Sequence, residues 1–206
     1  MSAYIDHPIV TQSFAVIDRE MGNHGFTPEV YALIQRVIHA TADFDYANLL
    51  ELSEDAIARG CAALQTGQPI VTDVSMVTMG IQRVAAATFA PTIITALHQA
   101  ERPLPGKTLT ETGLLACCRT YPHGIYVIGN APTALLALCH QICQGHVTPA
   151  LVIGAPVGFI NVLEAKQALA DCAVPQIRIA GRKGGSGVAA ALMNALLIDS
   201  WRRTGP

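Results

Sequence analysis

The 206 residues carry 51% hydrophobic and only 14% charged side chains, with a formal net charge of −2. A chain of that length buries a core without disulfide or metal staples, and its charge offers no global field for nucleic acid or an acidic membrane surface. No apolar run approaches the roughly 20 residues that span a bilayer; the longest near the end, Val188 to Ile198, is broken by Asn194. The start, MSAYIDHPIV, has neither the basic n-region nor the apolar h-region of a signal peptide. The expectation is a cytoplasmic protein with one domain over 1–206. Its apolar excess suggests an oligomer interface added to an α/β core.

Residues 1–26 read as an N-terminal arm with a short amphipathic element around Ser13, Phe14, Val16 and Ile17, closed by a turn at Gly22 and Gly25. A helix then starts at Pro28, capped by Thr27. Val30, Leu33, Ile34, Val37 and Ile38 recur at i, i+3, i+4, i+7 and i+8, which makes one apolar stripe. His39 falls nearly opposite the centre of that stripe, with Arg36 three residues earlier on the same face. This helix therefore has a core side and a cationic, titratable side. A second helix is expected over about 47–65, ended by Gly67 and Pro69.

From Pro69 onward short β-branched runs alternate with helical stretches. The candidate strands are PIVTDV (69–74), PTIITAL (91–97), GIYVIGN (124–130), ALVIGA (150–155) and PQIRIA (175–180). Their spacing is that of βαβ units, and near-continuous apolar runs suit parallel strands covered on both faces. Helices over about 75–87, 110–121, 132–144, 162–169 and 186–201 would provide the cover. The pattern predicts a three-layer α/β/α sandwich with a mainly parallel sheet.

In such a sheet ligands bind beyond the carboxyl ends of the strands. Asp73 and Asn130 lie at such ends and are candidates for binding or orienting a ligand, and the His39 face is expected to look onto these loops. The segment Gly181 to Gly187 is neither a phosphate-binding P-loop nor a dinucleotide fingerprint, since no Lys-Ser/Thr pair and no G-x-G-x-x-G spacing occurs. It could form an anion-binding nest around Gly184, flanked by Arg182 and Lys183, with Ser186 capping the last helix and leaving N–H groups for an anion. Cys139, Cys143 and His146 share a helical face, but Gly145 is expected to end that helix first and the spacing fits known zinc sites poorly. The six cysteines read as reduced thiols, with no metal site.

Taken together, SF at 13–14, RVIHATADFD at 36–45, the TD–M–GI pattern over 72–81, IGNAPTAL at 128–135, GAPVGF at 154–159 and GRKGGS at 181–186, followed by VAAALMNALL, resemble the precorrin-8X methylmutase family of cobalamin biosynthesis. The resemblance implies a flavodoxin-like fold, a homodimer with sites near the subunit interface, and an isomerase that needs no cofactor. The implied reaction moves a methyl group from carbon 11 to carbon 12 of a corrinoid ring. By the same resemblance His39 is the catalytic proton donor and acceptor, and Ser13 and Arg36 contact substrate. Two positions depart from the family pattern: Glu111 stands where an arginine is expected, and Glu164-Ala165-Lys166 replaces E-S-K. The first of these favours an alternative, a non-catalytic corrinoid carrier.

Overall fold

The structure, a computed structural model, describes residues 7–204. The beginning of the arm and the first residues of MSAYIDHPIV lie outside the described residues. The chain runs α1 (Pro8–Met21), α2 (Pro28–Thr41), α3 (Tyr46–Leu49), β1 (Leu50–Leu52), α4 (Ala56–Gln65), β2 (Ile70–Thr72), α5 (Ser75–Ala87) and β3 (Ile93–Thr95). After a 3₁₀ turn at Ala96–His98 come α6 (Leu109–Thr120), β4 (Ile125–Ile128), α7 (Pro132–Cys143), β5 (Leu151–Gly154), α8 (Val162–Ala170), β6 (Gln176–Ile179) and α9 (Ser186–Thr204).

The described strands form one sheet in the order β1-β6-β5-β4-β2-β3. All neighbours are parallel except β1, which runs antiparallel to β6 with Leu50 opposite Ile179 and Leu52 opposite Ile177. Side chains alternate between two cores, as the period of a strand requires. Ile70, Ile125, Val127, Leu151, Ile153, Ile177 and Ile179 pack towards α4, α5 and α9. Val71, Tyr126, Ile128 and Val152 pack towards α6, α7 and α8. The molecule is thus an α/β/α sandwich, and the sheet order reverses between β2 and β4.

Two stretches differ from the sequence reading. The arm contains a regular 14-residue helix, α1, whose first turn is set by Pro8 and by the His7 imidazole accepting from the Ile9 N–H. Ile17 of α1 packs on Ile34 and Ile38 of α2, so the apolar stripe of α2 is shared between two neighbours: Leu33 and Val37 face the main core and Ile34 and Ile38 face α1. The helix expected over 47–65 is broken into α3, β1 and α4. Leucines at 50 and 52 close the edge of β6, and Ser53 then turns the chain, accepting the Ala56 N–H at its carbonyl and the Gln176 N–H at its hydroxyl. Edge pairing overrides the helical periodicity where it rests on Leu49, Leu50 and Leu52.

Candidate active site

The α1–α2 pair brings Ser13 and Phe14 of α1 against Arg36 and His39 of α2. Ser13 Oγ lies 2.8 Å from His39 Nδ1. The Phe14 ring meets the imidazole edge-on at 5.3 Å, and the Arg36 guanidinium sits 5.0 Å above the same ring. Ser13 and Phe14 thus bracket the two cationic positions of α2. Burial, and then the neighbouring Arg36 charge, push the His39 pKa below its ordinary value of 6.5. The imidazole is therefore mostly neutral at pH 7, with Nε2 the ring nitrogen not engaged by Ser13.

Arg36, His39 and Ala40 form one wall of a cavity of about 360 Å³. Val10 of α1, Gly80 and Val84 of α5, and Gly187, Ala190, Ala191, Asn194 and Ile198 of α9 form the rest. Small residues let these helices approach: a Cβ on Gly80 would come within 2.7 Å of Ala190 Cβ. The His39 face therefore looks onto α5 and α9, not onto the strand-end loops as the sequence suggested. The reason is that α2 packs on α9, on the outer side of that helix. One turn before Gly80 on the same face of α5 is Met76, 71% exposed, so an apolar surface continues outward from the cavity.

Asp73 and Asn130 meet each other elsewhere, at the carboxyl ends of β2 and β4 where the sheet order reverses. Asp73 is completely buried, and its Oδ2 accepts the N–H groups of Asn130 at 2.6 Å and Ala131 at 2.8 Å while Oδ1 accepts that of Val74. Its carboxylate is committed to shaping the 129–131 turn, whereas the Asn130 residue is exposed. Gly129 in that turn touches the start of α9, since a Cβ there would lie 2.8 Å from Ser186 Cα. Ser186 is buried, and the next residue, Gly187, lines the His39 cavity.

Gly184 has φ +148°, and a Cβ on it would stand 2.4 Å from the Ala155 carbonyl oxygen, so it serves close packing against the end of β5. The flanking cations are also occupied. Lys183 Nζ binds Asp43 Oδ2 and Asp45 Oδ2, both at 2.6 Å, and Arg182 lies 6.0 Å over the exposed Phe159 ring. An anion nest at 181–187 would have to compete with these carboxylates for Lys183.

A family model described as Precorrin-8X methylmutase matches residues 8–198. The chain belongs to the precorrin-8X methylmutase family. It is 52% identical to a cobalt-precorrin-8 methylmutase from Synechocystis sp., over 96% of this chain and 98% of the relative. It is 39% identical to a precorrin-8X methylmutase from Pseudomonas aeruginosa, over 93% and 94% of the two chains. A solved precorrin-8X methylmutase from Thermus thermophilus superposes with a TM-score of 0.84 at 40% identity, covering 93% of this chain and 96% of that one. These relatives are methylmutases, and so isomerases, by name.

Within this methylmutase-family chain, Glu111 sits in the first turn of α6, salt-bridged to Lys107 at 2.5 Å. Both line a separate hollow of about 480 Å³ between α6 and α7 with Thr133 and His140. The sequence reading missed three features. Asn194 Nδ2 donates to the Gly80 carbonyl, while its Oδ1 is buried without a donor among the described residues. Its signal was in view, as the one polar interruption of the apolar run Val188 to Ile198. Ser75 Oγ and His98 Nε2 lie 3.0 Å apart at the ends of β2 and β3, a pairing that needs the fold to be seen. Lys166 is the third: only 5% exposed, it donates from Nζ to the carbonyls of Gly181 and Lys183.

Proposed function

We propose that this chain catalyses the migration of a methyl group from carbon 11 to carbon 12 of precorrin-8X or its cobalt form, giving hydrogenobyrinate or cobyrinate. The observation that carries this reading is Ser13 holding His39 Nδ1 on the wall of a cavity shared with Arg36. The methyl shift is intramolecular, so the protein supplies no atom to the product. The shift becomes easier if ring C is made more electron-deficient, and a proton or a strong hydrogen bond at its nitrogen does so. General acid help of this kind is worth about 10²–10⁴-fold.

The paired serine suits both states of the imidazole. In the neutral form the Ser13 O–H donates to Nδ1 and leaves the proton on Nε2. In the imidazolium Nδ1–H donates to Ser13 Oγ. A substrate carboxylate held bidentately by Arg36 would offset the charge that depresses the His39 pKa, so binding itself would raise the proton affinity of His39. At about 360 Å³ the cavity is at the small end of ligand pockets, roughly 300–1,000 Å³. It suits one edge of the macrocycle, with the remainder over the apolar rim that includes Met76.

Met79, Phe159 and Ile160 are likewise exposed, and such apolar surface favours a homodimer. Anaerobic incubation with precorrin-8X, and separately with its cobalt form, tests the reaction by the visible spectrum and by mass-unchanged product. Conversion of either pigment is expected. Tight binding with no spectral change would replace the enzyme by a carrier.

A further inference from the structure

The residue that the proposed chemistry leaves unexplained is Lys166. It lies on α8, its ammonium is withdrawn from solvent, and among the described residues it donates to two main-chain carbonyls, those of Gly181 and Lys183, each at 2.7 Å. An ammonium among carbonyls with no carboxylate is costly to bury. The loop it grips, Gly181 to Gly185, connects β6 to α9 and is held on other sides as well. The Gly185 N–H donates to the Ala155 carbonyl and the Gly158 N–H to the Arg182 carbonyl. From the same loop the Lys183 side chain spans Asp43 and Asp45 and lies 5.9 Å from the Tyr46 ring.

These contacts join the two walls of the His39 cavity. Asp43 follows His39 by four residues, just past the end of α2, where Ala42 takes a left-handed conformation with φ +55°. The loop leads directly into α9, which supplies Gly187, Ala190, Ala191 and Asn194 to the opposite wall. Lys183 therefore ties the end of one wall to the beginning of the other. Lys166 fixes the backbone from which Lys183 projects.

We propose that Lys166 is a positioning residue: by gripping the Gly181 and Lys183 carbonyls it holds the 181–185 loop in the arrangement that lets Lys183 clamp Asp43 and Asp45, and thereby sets the spacing of α2 and α9 across the His39 cavity. The role rests on the methylmutase reading for its catalytic consequence, but the clamp itself is a physical claim about the loop. Lysine suits the task because its compact ammonium directs several donors at once into a narrow site, and carbonyl oxygens can be met from one point. A neutral side chain of similar length would leave both carbonyls without this donor.

The test compares Lys166→Met, Lys166→Arg and Lys183→Met with wild type, in the full chain, after circular dichroism has shown each to be folded. Amide hydrogen exchange of residues 183–187 reads the loop, and the NMR titration of the His39 ring reads the cavity. Lys166→Met is expected to speed loop exchange by at least tenfold and to move the His39 titration, with Lys166→Arg partly restoring both. Lys183→Met should do the same, and the double variant should be no worse than the stronger single, because the two act as one clamp. In turnover of the pigment, kcat should fall about tenfold or more with KM changed less. Unchanged exchange and an unchanged His39 titration in Lys166→Met would overturn the clamp, as would effects of the two substitutions that simply add. Should the exchange and titration respond as expected while wild type converts no pigment, the clamp stands and the methylmutase reading fails.

Discussion

At the scale of single residues, His39 combines two opposed requirements. Burial and Arg36 hold its proton affinity down, and the proposed chemistry needs a proton delivered from it. Because the native pKa lies below 6.5, the unfolded chain binds the proton more readily. His39 therefore withdraws stability as pH falls through 6.5 and withdraws none above it. Arg36→Gln removes a cationic neighbour, so the His39 pKa should rise towards 6.5, as read from the ring-proton NMR titration; an unchanged value would remove Arg36 from the electrostatic account. Ser13→Ala should leave pigment affinity within a few-fold while lowering turnover by about 10–10²-fold, part of the general acid term. Lys166 provides a second pH test. Burial lowers its pKa from 10.5 to about 8, so between these values the unfolded chain holds more protons and this group adds stability as pH rises. Urea unfolding of wild type and Lys166→Met at pH 7, 8.5 and 10 should show the difference moving in favour of wild type across that window.

At the scale of elements, the helices and strands were readable where a pattern stood in one segment and hidden where it depended on a partner. Thr27, Pro28 and the spacing of Val30 to Ile38 define α2, and the cap is present as Thr27 Oγ1 accepting from the Val30 N–H. The parallel strands β2 to β6 fall inside the expected apolar runs. By contrast β1 lies inside a stretch read as helix and exists because β6 presents an edge, which Leu50–Leu52 closes. The direction of His39 was similarly hidden: its angle on the helical wheel is local, but what it faces depends on α9 lying beneath α2. Asp73 belongs at this scale too, because its carboxylate joins the end of β2 to the turn after β4. Asp73→Ala would strand the N–H groups of Val74, Asn130 and Ala131. It should cost about 3 kcal/mol or more in denaturant unfolding, and a loss below about 1 kcal/mol would mean that water replaces the carboxylate.

At the scale of the whole molecule, the family motifs fall in distant segments that converge from two directions. RVIHATADFD and GRKGGS meet through Lys183, Asp43 and Asp45, and IGNAPTAL meets the start of α9 through Gly129. Motif order was legible in the chain; this meeting was not, since ion pairs across about 140 positions leave no local periodicity. Exposed apolar side chains at Met76, Met79, Phe159 and Ile160 lead to a further expectation. Sedimentation should find a dimer, and Phe159→Asp with Met79→Asp should shift it to monomer; a monomeric wild type would contradict the interface. The central claim, that His39 works on a bound corrinoid from the cavity between α2, α5 and α9, is tested most directly by single-turnover spectroscopy of His39→Ala with anaerobic precorrin-8X. The account predicts pigment binding close to wild type with conversion slowed by 10²-fold or more. Conversion at the wild-type rate would contradict it.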